Sequence, residues 1–424
     1  MTYSGLAGRA RKACSTARFG AGDGRAPLLL TQIFFFVALL LGQAVHSAPV
    51  RADDLKIQTG PILGAFDAGY FTVTCCTNQP ASVRVARVNA AGEQETAVAD
   101  SAAGQIHRLK VPRTAAAAQG EARAAAPEYV LIAAGDGQGG SAGAALSVKL
   151  AAPPPITKGE KFTFVAMGDS RTYPDKWAVV AAAARKSNPR FVLFTGDMVS
   201  DGADEASWER DFFGPAKELF AATPFYTVRG NHERRGARFD EIIYSPSPDG
   251  RARHWSQRQG DATIIGVDGL EDWSAGGENA KWLEGVLAAC DSKFIFLADH
   301  YPAWTSSTHG KLDAAGRPME RPTREGQDVI LPLLAKYKAT AFLAGHDHCY
   351  ERSEPEGGVT VIITGGAGAP LYPKAADAEK QNPWSRVFAS RLNYCLFEIS
   401  GDVCEMKALS PDGALIDTRT WRAR

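Results

Sequence analysis

The pattern of apolar and polar positions changes near residue 160 and divides the chain into two parts. From Asp53 to about Ala152, short runs rich in Val, Thr and Phe alternate with turn residues, which predicts a small β-sandwich. After Lys161 the pattern becomes apolar strand, polar loop and helix, repeated several times, which predicts an α/β domain. The run from Pro153 to Pro155 predicts a stiff linker between the two parts.

The apolar runs also give the approximate positions of the elements. The predicted strands of the first part are Phe71–Thr74, Ser82–Val88, Tyr129–Ala133 and Ala145–Leu150, and the Ala-rich stretch Thr114–Ala126 is predicted to be a surface loop. The predicted strands of the second part are Phe162–Met167, Phe191–Thr195, Phe225–Val228, Thr263–Val267, Phe294–Ala298, Ala341–Ala344 and Thr360–Thr364. The predicted helices are Trp177–Arg185, Glu205–Phe220, Glu278–Ala289 and Asp328–Lys336. The stretch Tyr394–Ala408 predicts a hairpin that turns at Gly401 and Asp402.

The first 48 residues have the pattern of an export signal. A basic stretch is followed by an apolar run from Leu28 to Leu41 and then by small residues up to Ala48. This order is typical of a secretory signal peptide, with small residues at Ser47 or Ala52 fitting the cleavage point. The alternative is an uncleaved membrane anchor, but the apolar run is shorter than the roughly 20 residues that a spanning helix needs.

Composition and charge narrow the functional class. Of 424 residues, 45% are hydrophobic and 22% are charged, which is ordinary for a globular protein. Without the first 48 residues, 42 basic and 46 acidic side chains remain, a net charge of −4. No basic excess is left to bind a nucleic-acid polymer. The seven cysteines show no C-x-x-C spacing that would indicate a thiolate zinc site, and we interpret the six after residue 48 as buried or structurally bonded.

Five polar clusters each come directly after a predicted strand. They are Gly168–Arg171, Gly196–Asp197, Gly230–Glu233, Asp299–Pro302 and Gly345–His348. Because sites in open α/β sheets form at the carboxyl ends of the strands, we expect these side chains to meet at one edge of one sheet. Carboxylate, imidazole and amide ligands together suit zinc, iron or manganese. A bridging carboxylate can hold two such ions about 3.5–4 Å apart, so the clusters predict a site for two divalent or trivalent metal ions.

The order of these clusters resembles the signature of the calcineurin-like metallophosphoesterase superfamily, and is most like that of purple acid phosphatases. Gly230–Glu233 reads G-N-H-E, His346–Arg352 reads H-D-H-C-Y-E-R, and Asp299–Trp304 reads D-H-Y-P-A-W, with His309 nine positions after His300. The resemblance covers residues 161–368, roughly half the chain. It implies an α/β fold, a two-sheet αββα metallophosphoesterase sandwich over residues 159–424. It also implies a small all-β, fibronectin III-like sandwich over residues 53–152, after a signal peptide over residues 1–48.

The resemblance also implies a role for each matching residue. The implied metal ligands are Asp169, Asp197, Asn231, His300, His346 and His348. Asp197 would bridge the two ions, Asp169 and His348 would hold the first, and the other three would hold the second.

The implied catalytic residues are His232 and His309. His232 would protonate the leaving oxygen or orient the phosphate, and His309 would contact the phosphate or the leaving group. In the implied reaction, hydroxide held by the metals attacks phosphorus in line and the alcohol leaves on the opposite side.

Two positions depart from the family pattern. Many superfamily members have a histidine where this chain has Arg171, and purple acid phosphatases have a tyrosine where it has Ser200. The first metal therefore lacks one expected ligand, for which nearby Tyr173 is a candidate. Without the family's tyrosinate we expect no purple colour. The fork of the Arg171 guanidinium suits a phosphate oxygen, so Arg171 is a third candidate catalytic residue.

The resulting prediction is an exported dinuclear phosphoesterase that acts on small phosphate monoesters. A phosphodiesterase that acts on a nucleotide or lipid headgroup is an alternative within the same superfamily, since fold does not settle function. The polar stretch Thr305–Arg324 is the expected specificity loop. An alternative of another class is a degenerate, non-catalytic metal-binding surface protein, which Arg171 and Ser200 support and the presence of His232 opposes.

Overall fold

The computed structural model describes residues 55–89, 93–113, 128–135, 146–247, 250 and 253–424. In its N-terminal region the elements are β1 (Ile57–Phe66), β2 (Tyr70–Val88), β3 (Gln94–Pro112), β4 (Glu128–Gly135) and β5 (Leu146–Leu150). These strands form one antiparallel sheet in the order β1-β2-β4-β5, and β3 pairs with β2. The predicted all-β character of this region is confirmed, and its fibronectin-like identity stays a prediction.

The first two predicted strands proved to be a single long strand. The polar stretch Thr77–Pro80 looked like a turn, but β2 runs through it, and the pairing with β3 changes register between Cys76 and Ala81 instead. A bulge of this kind accommodates extra residues without ending a strand. The predicted Ala-rich loop Thr114–Ala126 and the predicted signal peptide lie outside the described residues.

The second region contains two further sheets. Its strands are β6 (Phe162–Met167), β7 (Val192–Phe194), β8 (Phe225–Thr227), β9 (Trp255–Gln259), β10 (Ala262–Gly266), β11 (Phe294–Ala298), β12 (Ala341–Ala344), β13 (Tyr350–Ser353), β14 (Thr360–Thr364), β15 (Ser385–Ala389), β16 (Tyr394–Ser400), β17 (Val403–Leu409) and β18 (Leu415–Arg422). One sheet has the order β15-β13-β14-β12-β11-β10-β9, and the other has the order β18-β17-β16-β6-β7-β8.

Helices connect these strands. They are α1 (Pro174–Lys186), α2 (Glu205–Ser207), α3 (Lys217–Phe220), α4 (Arg238–Ile242), α5 (Glu278–Ala289), α6 (Arg321–Glu325), α7 (Leu331–Lys336) and α8 (Ala378–Gln381). Residues Trp208–Phe213 and Gly326–Ile330 form π-helical turns, and His232–Arg234 form a 3₁₀ turn.

The predicted helix Glu205–Phe220 is wrong as a single element. The α2 helix passes into the π-helical turn Trp208–Phe213, and α3 follows only after a break at Gly214. Glycine costs about 1 kcal/mol in a helix interior, and the Gly214 N–H bonds to Glu209 O in the π-helical pattern. The predicted helix at Asp328 also begins earlier, because α6 and the second π-helical turn precede α7.

The two sheets pack face to face through aromatic and aliphatic side chains. The Phe164 ring of β6 lies 5.2 Å from the Phe296 ring of β11 and 4.6 Å from the Phe397 ring of β16, measured between ring centroids. On one outer face Trp177 of α1 packs against Phe194 of β7. On the other, α5 and α7 pack against the seven-stranded sheet in a buried apolar cluster. Burial of these apolar side chains stabilises the four layers. The arrangement of two stacked sheets with helices on both outer faces confirms the predicted αββα fold.

The N-terminal sheet packs on the α/β region rather than standing apart. Gln259 donates to the backbone oxygen of Phe66 at 2.9 Å and to the Tyr226 hydroxyl at 2.8 Å. That hydroxyl in turn accepts from the Phe66 backbone N–H. A further hydrogen bond of 2.7 Å joins Thr59 to Glu209. The two regions are therefore joined by buried polar contacts as well as by a shared apolar core.

The described residues also bear on the cysteines and on membrane association. All six cysteines after residue 48 are free thiols, and five of them are buried. Among the helices described, none combines the length and apolar character needed to cross a membrane.

Candidate metal centre

The five polar clusters meet at the carboxyl ends of parallel strands, but these strands belong to two sheets. Asp169, Asp197 and Asn231 follow β6, β7 and β8 of the six-stranded sheet. His300 and His346 follow β11 and β12 of the seven-stranded sheet. The expectation of one edge of one sheet is thus corrected. Because the sheets stack face to face with their parallel strands ending at the same end, both contribute to one site.

Backbone geometry at this edge is unusual in a way that points to function. Asp169, Asp197 and His346 have φ angles of 60°, 57° and 70°, in the left-handed region that non-glycine residues rarely adopt. Such conformations cost of order 1–3 kcal/mol and concentrate at functional sites. The glycines before these motifs allow close approach, since a Cβ at Gly345 would lie 2.2 Å from Asp169 Oδ2.

The donors predicted for the second metal surround the Nε2 atom of His300. Asn231 Oδ1 lies 3.0 Å from it, His346 Nδ1 3.1 Å and Asp197 Oδ1 3.4 Å. His300 Nδ1 lies 2.8 Å from the carbonyl oxygen of Thr195, which can only accept, so Nδ1 carries the proton and Nε2 presents a lone pair. Lone pairs therefore converge on one point, which suits a cation. The residues present fit a bound metal here.

A second group of donors lies beside the first. Atoms of Asp169, Asp197 and His348 all lie within 4.8 Å of one another, and all three residues are buried. Asp197 belongs to both groups, as a bridging carboxylate requires. His348 Nδ1 lies 2.7 Å from the carbonyl oxygen of Pro370, which leaves Nε2 free to face the carboxylates. The arrangement fits the two ions implied by the resemblance.

The ionisable side chains at this edge have pKa values shifted from their ordinary values. Burial, together with the charge of Asp197, raises the pKa of Asp169 well above its usual range. Burial also acts to raise the pKa of Asp197, but His300, His232 and Arg171 outweigh it and lower that pKa. Burial lowers the pKa of His300 to about 4. The His300 imidazole is therefore neutral near pH 7, as a metal ligand must be.

Arg171, which departs from the family pattern, and Tyr173, the candidate for the missing ligand, lie in different surroundings. The Arg171 guanidinium reaches the site, with Nε 3.3 Å from Asp197 Oδ2 and one terminal nitrogen 3.2 Å from His348 Nε2. Tyr173, in contrast, is 37% exposed and lies under the Lys176 ammonium group. Among the described contacts, none brings Tyr173 to the predicted ligands, so this candidate substitute is not supported.

His232 lies beside the predicted bridging residue. Its Nδ1 is 2.6 Å from the carbonyl oxygen of Ser200, and its Nε2 is 3.8 Å from Asp197 Oδ2. The next residue, Glu233, is buried and accepts backbone N–H bonds from Asp197, Met198 and Gly230. Glu233 therefore shapes the loop that carries Asp197.

Two neighbouring residues were not among the predicted site residues. Glu320 contacts His309 and His346 through its two carboxylate oxygens, at 2.7 Å and 2.9 Å. Its only signal in the sequence was its place in the predicted specificity loop. The Tyr372 ring stacks on His348 with centroids 4.0 Å apart. No motif marked Tyr372, because it reaches the site from a loop far along the chain.

Comparison with known proteins agrees with this geometry. Residues 162–350 match the model of the calcineurin-like phosphoesterase family. The chain is 27% identical over 218 residues to tartrate-resistant acid phosphatase type 5 of Mus musculus, an alignment that covers 44% of this chain and 63% of that protein. It is 26% identical over 237 residues to a protein of Arabidopsis thaliana named "Probable inactive purple acid phosphatase 24", covering 46% of this chain and 37% of that protein. The chain thus spans less than two thirds of the length of these relatives.

A solved structure shows the same fold. The purple acid phosphatase from yellow lupin seeds superimposes with a TM-score of 0.71 at 16% sequence identity, covering 85% of this chain and 74% of that chain. At this identity the likeness concerns the fold. The superposition also includes a large part of the chain outside residues 162–350, the region that the family model matches.

Proposed function

We propose, from the premise that this chain carries a calcineurin-like phosphoesterase domain with a purple acid phosphatase-like fold, that it hydrolyses small phosphate monoesters with two metal ions. The observation that carries the proposal is the convergence of unprotonated donors around His300 Nε2, next to the buried Asp169, Asp197 and His348 group. When bound, the two ions supply hydroxide near neutral pH and neutralise phosphate charge. Iron, zinc and manganese all suit the donor set.

The ligand roles follow from the two groups of donors. Asp197 is proposed to bridge the ions. Asp169 and His348 are proposed to hold the first, and Asn231, His300 and His346 the second. The left-handed backbone at three of these residues supports the assignment, because a strained conformation persists only where its surroundings fix it.

His232 is proposed as the proton donor to the leaving oxygen. In its imidazolium form, Nδ1–H is held by Ser200 O and Nε2–H, the proton that is donated, faces the site; the side chain is 27% exposed. A substrate can therefore reach Nε2 from solvent. A positioned acid of this kind contributes typically 10²–10⁴-fold to the rate.

Arg171 and His309 are proposed to bind the phosphate. The Arg171 guanidinium is 16% exposed and points to the predicted bridging carboxylate, where its remaining N–H donors can reach a phosphate oxygen. The ring of His309 lies 3.8 Å from that of His346 between centroids, on the side of the second donor group. Both side chains border the site from outside the ligand set.

Export and domain organisation are also proposed, from the sequence pattern. Residues 1–48 are proposed to be a cleaved signal peptide, residues 53–152 a fibronectin III-like domain and residues 159–424 the catalytic domain. Mass spectrometry of the protein expressed with its first 48 residues would test the cleavage. We expect a mature N-terminus near residue 48 or 53, and a full-length chain held in the membrane fraction would favour the anchor instead.

The activity is tested by hydrolysis of p-nitrophenyl phosphate against bis-p-nitrophenyl phosphate, with protein loaded with zinc, manganese or iron. We expect faster turnover of the monoester, lost on chelation and lowered about 10²-fold or more in His232→Ala. Arg235→Ala is the matched control, since Arg235 is in the same loop and its side chain is 69% exposed. Preference for the diester would support the phosphodiesterase, and turnover that survives in His232→Ala would contradict the proposed acid.

A further inference from the structure

The histidines of the centre differ in what holds their second ring nitrogen. His300, His348 and His232 each place Nδ1 against a backbone carbonyl oxygen, at 2.8, 2.7 and 2.6 Å. His346 differs from these three, because its Nε2 lies 2.9 Å from the carboxylate of Glu320. A carboxylate is a stronger acceptor than a carbonyl, and such partners fix the tautomer and orientation of a ligand histidine.

Glu320 uses both of its oxygens in the site. While Oε2 accepts from His346, Oε1 lies 2.7 Å from Nδ1 of His309. The two imidazole rings are 3.8 Å apart between centroids. One carboxylate thus ties a predicted ligand of the second metal to the residue predicted to contact the phosphate.

The loop around Glu320 is folded so that the carboxylate is held in place. Met319 N–H donates to the backbone oxygen of Lys311 at 2.8 Å, which closes the base of the loop. Arg324 donates to the backbone oxygens of Pro318 and Met319 at 2.7 and 3.0 Å. At the other end, the His309 N–H donates to Asp347 Oδ1 at 3.2 Å. The placement of Glu320 is therefore set by several backbone contacts around it.

We infer that Glu320 is a positioning residue, which keeps His346 in the tautomer with the proton on Nε2 and the lone pair on Nδ1, and which holds His309 over the centre. The lone pair of His346 Nδ1 then faces His300 Nε2, where the second metal is proposed. This inference rests on the proposed function only in naming that metal. The tautomer of His346 depends on its contact with Glu320 and can be measured without the metal.

The tautomer is the first test and needs no metal. Chelated protein labelled with ¹⁵N-histidine is studied by long-range ¹H–¹⁵N NMR at alkaline pH, and His346 is assigned with a His346→Gln variant. We expect a single Nε2–H tautomer in the wild type and a mixture of tautomers in Glu320→Ala. An unchanged His346 tautomer in Glu320→Ala overturns the inference, whatever the enzyme's activity.

Metal affinity is the second test. Titration of the second zinc or manganese ion should show it bound about 10–100-fold more weakly in Glu320→Ala than in the wild type. Glu320→Gln should be intermediate, because its amide oxygen still accepts one N–H bond. Asp313→Asn is the control. Within the described part of the chain, this exposed carboxylate of the same loop accepts the Ala315 and Arg317 backbone N–H groups and contacts none of the predicted ligands, so affinity should not change.

The outcomes separate this inference from the proposed function. Wild-type protein that binds no ion would refute the proposed function and leave the tautomer test valid. Two ions bound equally well by wild type and Glu320→Ala would overturn the inference alone. A third ion in the wild type, lost in Glu320→Ala, would also overturn it, because atoms of His309, Glu320 and His346 lie within 4.8 Å of one another and would then be direct ligands.

Discussion

At the scale of single residues, the site keeps two buried carboxylates next to each other. Asp169 and Asp197 share one buried environment, and burial and Asp197 raise the pKa of Asp169 well above its usual range. A carboxyl group whose pKa is higher in the folded chain than in the unfolded one favours folding only while it is protonated. Its contribution to stability is complete below an unfolded pKa of about 3.9 and is lost as pH rises through the folded value.

Asp169→Asn should therefore stabilise the metal-free chain. The amide removes the ionisation but can still accept the His346 N–H that Asp169 accepts at 3.1 Å. Thermal melts of chelated wild type and variant across neutral pH should show a higher Tm for the variant, by an amount that grows as pH rises. A lower Tm for the variant at every pH would show that the carboxylate is not a source of strain.

Arg171 is the residue whose role the family pattern does not supply. If it holds a phosphate oxygen, Arg171→Ala should raise KM for the monoester about tenfold or more, since a hydrogen bond to a charged group contributes about 1.5–3 kcal/mol. Arg171→Lys should recover only part of the loss, because lysine keeps the charge without the fork. Steady-state kinetics test this directly, and an unchanged KM in Arg171→Ala would rule out the clamp.

At the scale of elements, β13 follows His348 almost directly and is anchored on both sides. The Tyr350 hydroxyl and Arg352 Nε each lie 2.6 Å from Asp417 Oδ2 on β18. Between them, Glu351 accepts from the Ser306 backbone N–H at 2.8 Å, at the start of the predicted specificity loop. The Y-E-R part of the sequence motif is thus structural: it ties the strand after the ligands to the C-terminal strand and to the loop.

Removal of the Asp417 anchor should destabilise the fold more than the site. Asp417→Ala removes the carboxylate that accepts from the Tyr350 hydroxyl and from Arg352 Nε, and leaves the mostly buried Arg352 guanidinium with Glu354 as its remaining ion-pair partner. The loss of a hydrogen bond to a charged group costs about 1.5–3 kcal/mol. We expect a lower midpoint of denaturant unfolding with turnover retained at low temperature. Asp402→Ala, in the turn between β16 and β17 and 74% exposed, is the control and should change stability by no more than about 0.5 kcal/mol. An equal midpoint in Asp417→Ala would refute the anchor.

Elements with strong periodicity could be predicted from the sequence, and those set by tertiary contacts could not. The buried strands Phe162–Met167, Phe294–Ala298 and Thr360–Thr364 match the prediction residue by residue, because continuous apolar runs bounded by polar loops leave one interpretation. Strand β18 alternates partly buried and exposed residues, so its sequence contains no continuous apolar run from which it could be predicted. Its pairing with β17 depends on contacts between residues distant in sequence.

The same distinction holds for the site. Asp, Asn and His after strands can be found from sequence because each lies in a short motif next to an apolar run. Glu320 and Tyr372 depend on long loops folding back, for which local pattern carries no information. The assignment to one sheet also failed for this reason, since strand order is a property of the assembled fold.

At the scale of the whole molecule, the N-terminal sheet and the α/β region share one apolar core. Gln259 links them through Phe66 and Tyr226, at the side of the sheets formed by β8 and β9. The N-terminal sheet therefore packs on the α/β region at this side.

The central claim is a pair of metal ions held by these strand ends. It is tested most directly by counting ions: the wild-type chain is loaded with zinc, manganese or iron, desalted and measured by inductively coupled plasma mass spectrometry, with Asp197→Ala as the reference. We expect two ions per chain in the wild type and a loss of both in Asp197→Ala, because that carboxylate belongs to both donor groups. One ion or none in the wild type, with every metal, would contradict the dinuclear centre and favour a degenerate binding protein.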